Sequence, residues 1–355
     1  MPLGEAQPPS SPRDRITRLR RAVFRLAAGP RGGSTATNGR RRRLEALLLL
    51  ALVAVPFVTD DSFLVDRLGR YLLFAAFAVS VDLIWGYGGL FTFGHAAFFG
   101  GGGYIVGLLT THEVAFLPVP LWVALLAAVV AAAGFALALS YFVFSGRGAL
   151  RGVEFSVVTL AITVMAERLM NAGGSVTGGQ NGILMTASLG IPGVISLQEG
   201  YAFYALAGLV LIATYLVVQR FLGSRSGLIL RGIRDNQDRI DLLGYDVPGI
   251  KRRAFVLSAA IAALAGAIFY VHEGIVSPGA VGVRASTLVL LWVVLGGRGT
   301  LIGPIVGAIV LAYLTATLSG SLLDTWLVIV GIILVAVIVV LPSGIFGLVS
   351  RERRA

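Results

Sequence analysis

Residues 86–109 read GYGGLFTFGHAAFFGGGGYIVGLL and carry nine glycines, six aromatic rings and His95, between long apolar segments. A helix that only anchors a chain in lipid is built of Leu, Val and Ile. Glycine instead lets backbones approach closely or leave the helical path. At membrane depth an irregular backbone survives only where protein or a water-filled cavity satisfies its polar groups. The stretch therefore predicts pathway-forming backbone in a membrane transporter. The run 100–103 in particular predicts close packing at Gly101 and Gly102.

The rest of the chain agrees. Of 355 residues, 56% are hydrophobic and 13% charged, against about 25% charged in an ordinary soluble domain. Residues 114–146, 300–323 and 325–350 contain no Asp, Glu, Lys or Arg, and each run exceeds the roughly 20 residues that span a bilayer. There is no cysteine, hence no disulfide framework and no thiolate metal site. His95, His112 and His272 lie far apart, without metal-ligand spacing. The nearest approach to a phosphate loop, GYDVPGIK at 244–251, lacks a Lys directly after its second glycine and a following Ser or Thr. No ATP site, metal site or catalytic constellation is expected, and the chain does not read as an enzyme.

The net charge of +11 is concentrated in one tail: residues 1–43 hold eleven arginines against Glu5 and Asp14. Basic residues beside a first apolar segment mark a cytoplasmic end and attract anionic lipid, so nucleic-acid binding is not implied. Residues 1–43 read as a largely unstructured cytoplasmic tail. Within it Ile16, Leu19, Val23 and Leu26 suit either an amphipathic helix on the inner leaflet or a solvated stretch.

Ten spans are predicted, over about 44–58, 68–85, 94–111, 120–144, 152–170, 201–221, 254–271, 285–295, 301–318 and 323–341. The fold class is an all-α polytopic membrane protein, with a transmembrane unit over 44–348 and a basic C-terminal tail at 349–355. Asp60, Asp61 and Asp66 read as the loop closing the first span. The eighth span is short, but only a crossing there keeps the basic tail at 351–354 on the cytoplasmic side with the N-terminus. Between the sixth and seventh spans, the charged segment 222–253 keeps apolar residues Leu228, Ile229, Ile233, Ile240 and Leu243 at helical intervals until Gly244. That pattern predicts an amphipathic cytoplasmic helix that docks onto something.

Ionisable groups inside spans are functional candidates because burying them is costly. Asp82 precedes the glycine stretch and Glu167 ends the fifth span, while Glu154 and Glu273 fall at membrane edges. The loop Thr177-Gly-Gly-Gln-Asn181-Gly182 can expose backbone amides to a carboxylate or amide ligand, or serve only as a turn. Two classes of transporter stay open on these residues. One is a permease worked by other subunits. The other is an ion-coupled secondary transporter, which would place Asp82 and Glu167 along its path.

Three stretches jointly resemble the permease subunits of branched-chain amino acid and amide (hydrophobic amino acid) ABC importers, in particular the longer of their two paired permeases. These are LIWGYGGLFTFGHAAFFGGGGY at 83–104, VVTLAITVMAERLMNAGGSVTGGQNGI at 157–183, and GLILRGIRDNQDRIDLLGYDVPGIKRRAFVLSAAIAALAGAIF at 227–269 followed by VVLGGRGTLIGPIVGA at 293–308. The similarity covers about 44–348. Asp82 stands where the family usually has Asn, Thr92 where it has Ser and Gly103 where it has Ala. The wording GYDV and GGRGTLIG is also similar to the urea-importer branch.

The resemblance implies a permease without bound cofactor, in a bacterial inner membrane with both termini cytoplasmic. It implies a second permease, two cytoplasmic ATPases that consume the ATP, and an extracytoplasmic substrate-binding protein as partners. Carried onto this chain, its motifs mark Asp82, Gly89, Thr92, Gly94, His95, Phe98, Thr159, Thr177, Gly178, Gly179 and Asn181 as pathway candidates. Arg231, Ile233, Arg234, Asp235, Asp238, Leu243 and Gly244 become the ATPase-coupling segment.

Overall fold

A computed structural model of the chain describes residues 61–111, 119–144, 152–191, 195–198 and 200–321, with single positions at 331, 335 and 344. The expected first span, nearly all of the tenth, His112 and both basic tails lie outside the described residues.

Helix α1 (Ser62–Asp82) starts where the Asp61 carboxylate accepts hydrogen bonds from the Phe63 and Leu64 amides at 2.9 and 3.2 Å. This N-cap corrects the expected boundary at 68. Asp66 lies inside the helix, bonded to Arg70 one turn on at 2.7 Å, rather than in a loop. A π-turn over Leu83–Tyr87 continues α1, and the chain then unwinds before α2 (His95–Thr110). There follow α3 (Leu121–Phe144), α4 (Val153–Ala172), α5 (Gly200–Gly223), α6 (Arg225–Leu242) and α7 (Val247–Glu273). The last pair is α8 (Val283–Gly296) and α9 (Ile302–Ser321). Two-residue strands β1 (Ile183–Leu184) and β4 (Ile275–Val276) pair antiparallel, as do β2 (Gly190–Ile191) and β3 (Ile195–Ser196).

The protein is an all-α polytopic membrane protein. Among the described residues five helical segments are long and apolar enough to cross a bilayer: 62–87, 121–144, 200–223, 247–273 and 302–319. Helix α7 begins earlier than the expected 254, because Asp246 caps it and Pro248 fits its first turn, and it runs on to Gly274 at φ +74°. Its 27 residues make a rod about 40 Å long, longer than the roughly 30 Å hydrocarbon layer, and Lys251 in its second turn is buried against Gln237 of α6. Helix α7 is central and packs on α1, α2 and α3, while α1 also packs on α5 and α9. Aromatic rings fill the joints: Phe77 stacks on Phe99 at 4.4 Å, and Phe74 meets Phe269 and Trp292 at 4.8 and 4.9 Å.

Helix α8 has 14 residues, about 21 Å, against a hydrocarbon layer of about 30 Å. The preceding chain makes up the difference by descending into the bundle. Val276 pairs with Ile183, and the Ala280 backbone lies against Gly100 of α2, leaving no room there for a Cβ.

Glycine packing is selective. A Cβ on Gly102 would overlap the Ala263 backbone of α7, and one on Gly266 would overlap that of Phe99. Around Gly101 there is nothing within 4 Å, so the expectation of close packing holds at Gly102 and fails at Gly101, which points out of the bundle.

Candidate functional site

The interruption between the π-turn and α2, residues 88–94, lies deep in the bundle. Its level is set by His95, whose Nε2 is 2.6 Å from the Ser258 hydroxyl near the middle of α7. Ser258 in turn donates to the Ser80 carbonyl at 2.5 Å. Its single proton being used there, Ser258 accepts from His95, which places the imidazole proton on Nε2 and turns Nδ1 to the Thr92 hydroxyl at 3.4 Å. Neighbouring helices satisfy the unwound backbone. The Phe93 amide donates to Thr159 Oγ1 at 3.1 Å. The Phe93 carbonyl accepts from Thr163 at 2.8 Å and from Ser286. The Gly94 amide donates to Thr92 Oγ1 at 3.0 Å. Hydroxyls of α4 and α8 thus replace the missing helical ladder, as a break at this depth requires.

At the end of the bundle that carries α6, a second knot forms. Arg234 Nη1 donates to the Gly86 carbonyl at 2.7 Å. Asp82 Oδ1 accepts from the Gly299 amide at 2.7 Å, joining α1 to the α8–α9 turn across 217 positions. Space for this exists because three residues lack a side chain. A Cβ at Gly86 would overlap both the Asp82 carboxylate and the Gly299 amide. Gly89, at φ +72°, lies 2.8 Å from the Arg234 side chain, measured from the position a Cβ would take, and Gly299 adopts φ +76°. Asp82 is fully buried and feels the positive charge of Arg234 and Arg298.

Helix α6 is two helices joined at Asn236, whose backbone is extended (φ −162°, ψ 98°) and whose Oδ1 caps the second piece through the Arg239 amide at 2.9 Å. Leu230, Ile233 and Ile240 are buried, and Arg231 lies 5.3 Å over the Tyr87 ring. Asp235, Asp238 and Gly244 face outward. Leu242 is 89% exposed at the far end.

The loop after α4 is built on backbone rather than charge. Thr177 Oγ1 donates to the Met170 carbonyl at 2.6 Å, while Gly178, Gly179 and Gly182 take φ of +73°, +55° and +77°. A Cβ on Gly178 would overlap the Gly182 carbonyl, and one on Gly182 the Val276 carbonyl. Asn181 is exposed at the rim.

Of the pathway candidates, the structure gathers Thr92, Gly94, His95, Phe98 and Thr159 around the break and Asp82 and Gly89 around Arg234. It leaves Thr177, Gly178, Gly179 and Asn181 apart at the opposite end. Phe98 is packed among His95, Phe135 and Phe255. Four partners were missed from sequence: Thr163, Ser258, Ser286 and Gly299. For Ser258 the signal was its isolation among the apolar residues of α7, where a hydroxyl needs a carbonyl to satisfy it.

A family described as "Branched-chain amino acid transport system / permease component" matches residues 63–338. The high-affinity branched-chain amino acid transport system permease protein LivM of Salmonella typhimurium is 29% identical over 292 residues, 76% of this chain and 66% of its own length. LivH of Escherichia coli, named as a permease of the same kind of system, is 30% identical over 131 residues, 37% of this chain and 42% of its own. BraD of Pseudomonas aeruginosa, a high-affinity branched-chain amino acid transport system permease protein, is 24% identical over 293 residues, 79% and 93% of the two chains. The chain thus spans 66% of the length of its LivM relative. No solved structure matches it.

Proposed function

The chain belongs to the branched-chain amino acid transport permease family, and from that premise we propose that it is a membrane-spanning subunit of an ATP-binding-cassette importer of hydrophobic amino acids. It binds no nucleotide and catalyses no covalent step. It pairs with a second permease in the inner membrane of a bacterium, with both termini cytoplasmic. Two cytoplasmic ATPases grip α6 through its outward residues, among them Asp235, Asp238 and Leu242. An extracytoplasmic binding protein delivers cargo at the opposite end, where the 177–182 loop lies.

The observation that carries this reading is the contact of Arg234 with Gly86. An amphipathic helix outside the span layer holds, by one guanidinium, the carbonyl at which α1 loses its helical ladder. Movement of α6 therefore acts on the interrupted span itself. Closure of the ATPase pair shifts α6, α6 shifts the break, and the passage opens alternately to the two sides. Asp82, Thr92, His95 and Thr159 hold the shape of the break, while the passage runs beside it.

The ion-coupled alternative draws its support from Asp82. That carboxylate accepts from the Gly299 amide through Oδ1, while its buried Oδ2 has no hydrogen-bond partner among the described residues, so the Asp82→Asn variant separates the two readings.

Reconstitution tests the reading. The chain with its second permease, ATPases and binding protein in liposomes should concentrate leucine only when ATP is supplied, and the chain alone should concentrate nothing. Uptake by the isolated chain driven by an ion gradient would overturn it.

A further inference from the structure

A third polar knot lies at the end of the bundle opposite α6. Arg70 of α1 forks there. Its Nη2 donates to Asp66 Oδ2 one turn earlier at 2.7 Å, and its Nη1 lies 3.2 Å from Glu273 Oε1 on the last residue of α7. The neighbouring His272 puts Nε2 3.4 Å from Asp66 Oδ1. Its side chain is 6% exposed, and its ring stacks on Phe203 of α5 with centroids 3.5 Å apart. Phe203 fits against α1 because Gly69 has no side chain, its ring lying 2.8 Å from where a Cβ would stand.

These contacts sort into two bodies. Asp66, Gly69 and Arg70 belong to α1, which packs along α5. His272 and Glu273 belong to the end of α7, and that end is tied elsewhere. Gln198 donates to the Val271 carbonyl at 3.2 Å, the Met185 amide donates to the Gly274 carbonyl at 2.8 Å, and β4 pairs with β1. The Arg70 to Glu273 pair, the Asp66 to His272 contact and the stack on Phe203 cross from one body to the other.

A polar joint that holds a structure rigid satisfies its buried atoms. Here Asp66 Oδ1, Arg70 Nε and His272 Nδ1 are buried without a hydrogen-bond partner among the described residues. Parting the two bodies admits water to all three, which offsets much of what the broken contacts contributed. We propose that this knot is a latch between the outer ends of α1 and α7, one that opens in each transport cycle. The pair of Arg70 with Glu273 is what breaks, while the pair of Arg70 with Asp66 travels with α1. The inference rests on the transport reading above, which makes this end the outer one, and it adds where that end moves.

The chain has no cysteine, so a single thiol in the latch reports its opening. His272→Cys is placed in the complete transporter in liposomes, and a membrane-impermeant maleimide is added on the side of the binding protein. Labelling of this chain should be slow at rest and at least about tenfold faster during ATP turnover with leucine present. Arg70→Gln or Glu273→Gln in that background should speed labelling at rest by about tenfold. Should His272→Cys fail to assemble, hydrogen exchange of the unmodified chain decides, with the amides of 270–276 exchanging faster in turnover than at rest. Labelling or exchange that is equal at rest and in turnover, while leucine is taken up, overturns the latch. So does an unchanged resting rate in both glutamine variants. If uptake runs on an ion gradient without ATP, the importer reading fails instead, and the latch is read from the same comparison with the gradient present and absent.

Discussion

Arg234 and Gly86, 148 positions apart, meet in a 2.7 Å hydrogen bond in which the guanidinium donates to the last carbonyls of an interrupted span. A helix end leaves carbonyls without intrahelical donors, and here a residue outside the span layer supplies one. The bond is charge-assisted, half-exposed on the arginine side and backed by the buried Asp82 carboxylate.

Arg234→Glu removes that donor and sets a second carboxylate near Asp82. Loss of one charge-assisted bond is worth about 1.5–3 kcal/mol, and like charges add to it. In the proposed complex, ATP-driven uptake should fall at least about tenfold, with the protein still in the membrane and ATP hydrolysis by the proposed ATPase partners continuing. Normal uptake, measured beside ATPase activity on one preparation, would dismiss the link.

Asp82 should tolerate an amide and reject a hydrocarbon. In Asp82→Asn an oxygen can still accept from the Gly299 amide, so the melting temperature in detergent and the uptake should change little. Asp82→Leu orphans that buried N–H at a cost of about 1–3 kcal/mol, which should appear as a clear drop in melting temperature. Complete loss of transport in a well-folded Asp82→Asn variant would favour an ion-coupled carrier.

Two adjacent glycines should behave differently. Gly102→Leu drives a side chain into the Ala263 backbone and should abolish assembly, since backbone cannot yield as a side chain can. Gly101→Leu meets nothing within 4 Å in this chain and should leave its thermal stability within about 1 kcal/mol. Equal damage from both, compared by membrane level and melting temperature, contradicts the packing.

The bridge from His95 through Ser258 to Ser80 can be tested as a unit. Ser258→Ala should destabilise the protein by about 1–3 kcal/mol, because it strands a buried imidazole N–H. In a His95→Leu background the same change should cost much less. Additive losses in this double-mutant cycle would show that the two side chains are not coupled.

Most spans were legible because hydropathy is a local property: the predicted 120–144 and 201–221 lie within a residue or two of α3 and α5. Charged residues misplaced two boundaries. Asp66 and Lys251 looked like loop markers, yet each has a partner inside or beside a helix, Arg70 for one and Gln237 at 2.6 Å for the other. The amphipathic helix was readable up to Gly244, but the break at Asn236 was not, since the apolar spacing runs on across it from Ile233 to Ile240. The knots were beyond reach for a further reason. Nothing local to either segment states that Gly86 and Gly299 touch. Such contacts depend on how α1 and α9 pack, not on either segment.

The extended residue at Asn236 has a mechanical consequence. It divides α6 into two arms, with Arg234 two residues before the joint and Leu242 near the end of the other arm. If a subunit holds that end, as proposed, its displacement would reach Gly86 as a turn about the joint, so a stiffer joint would pass on more of it and a looser one less.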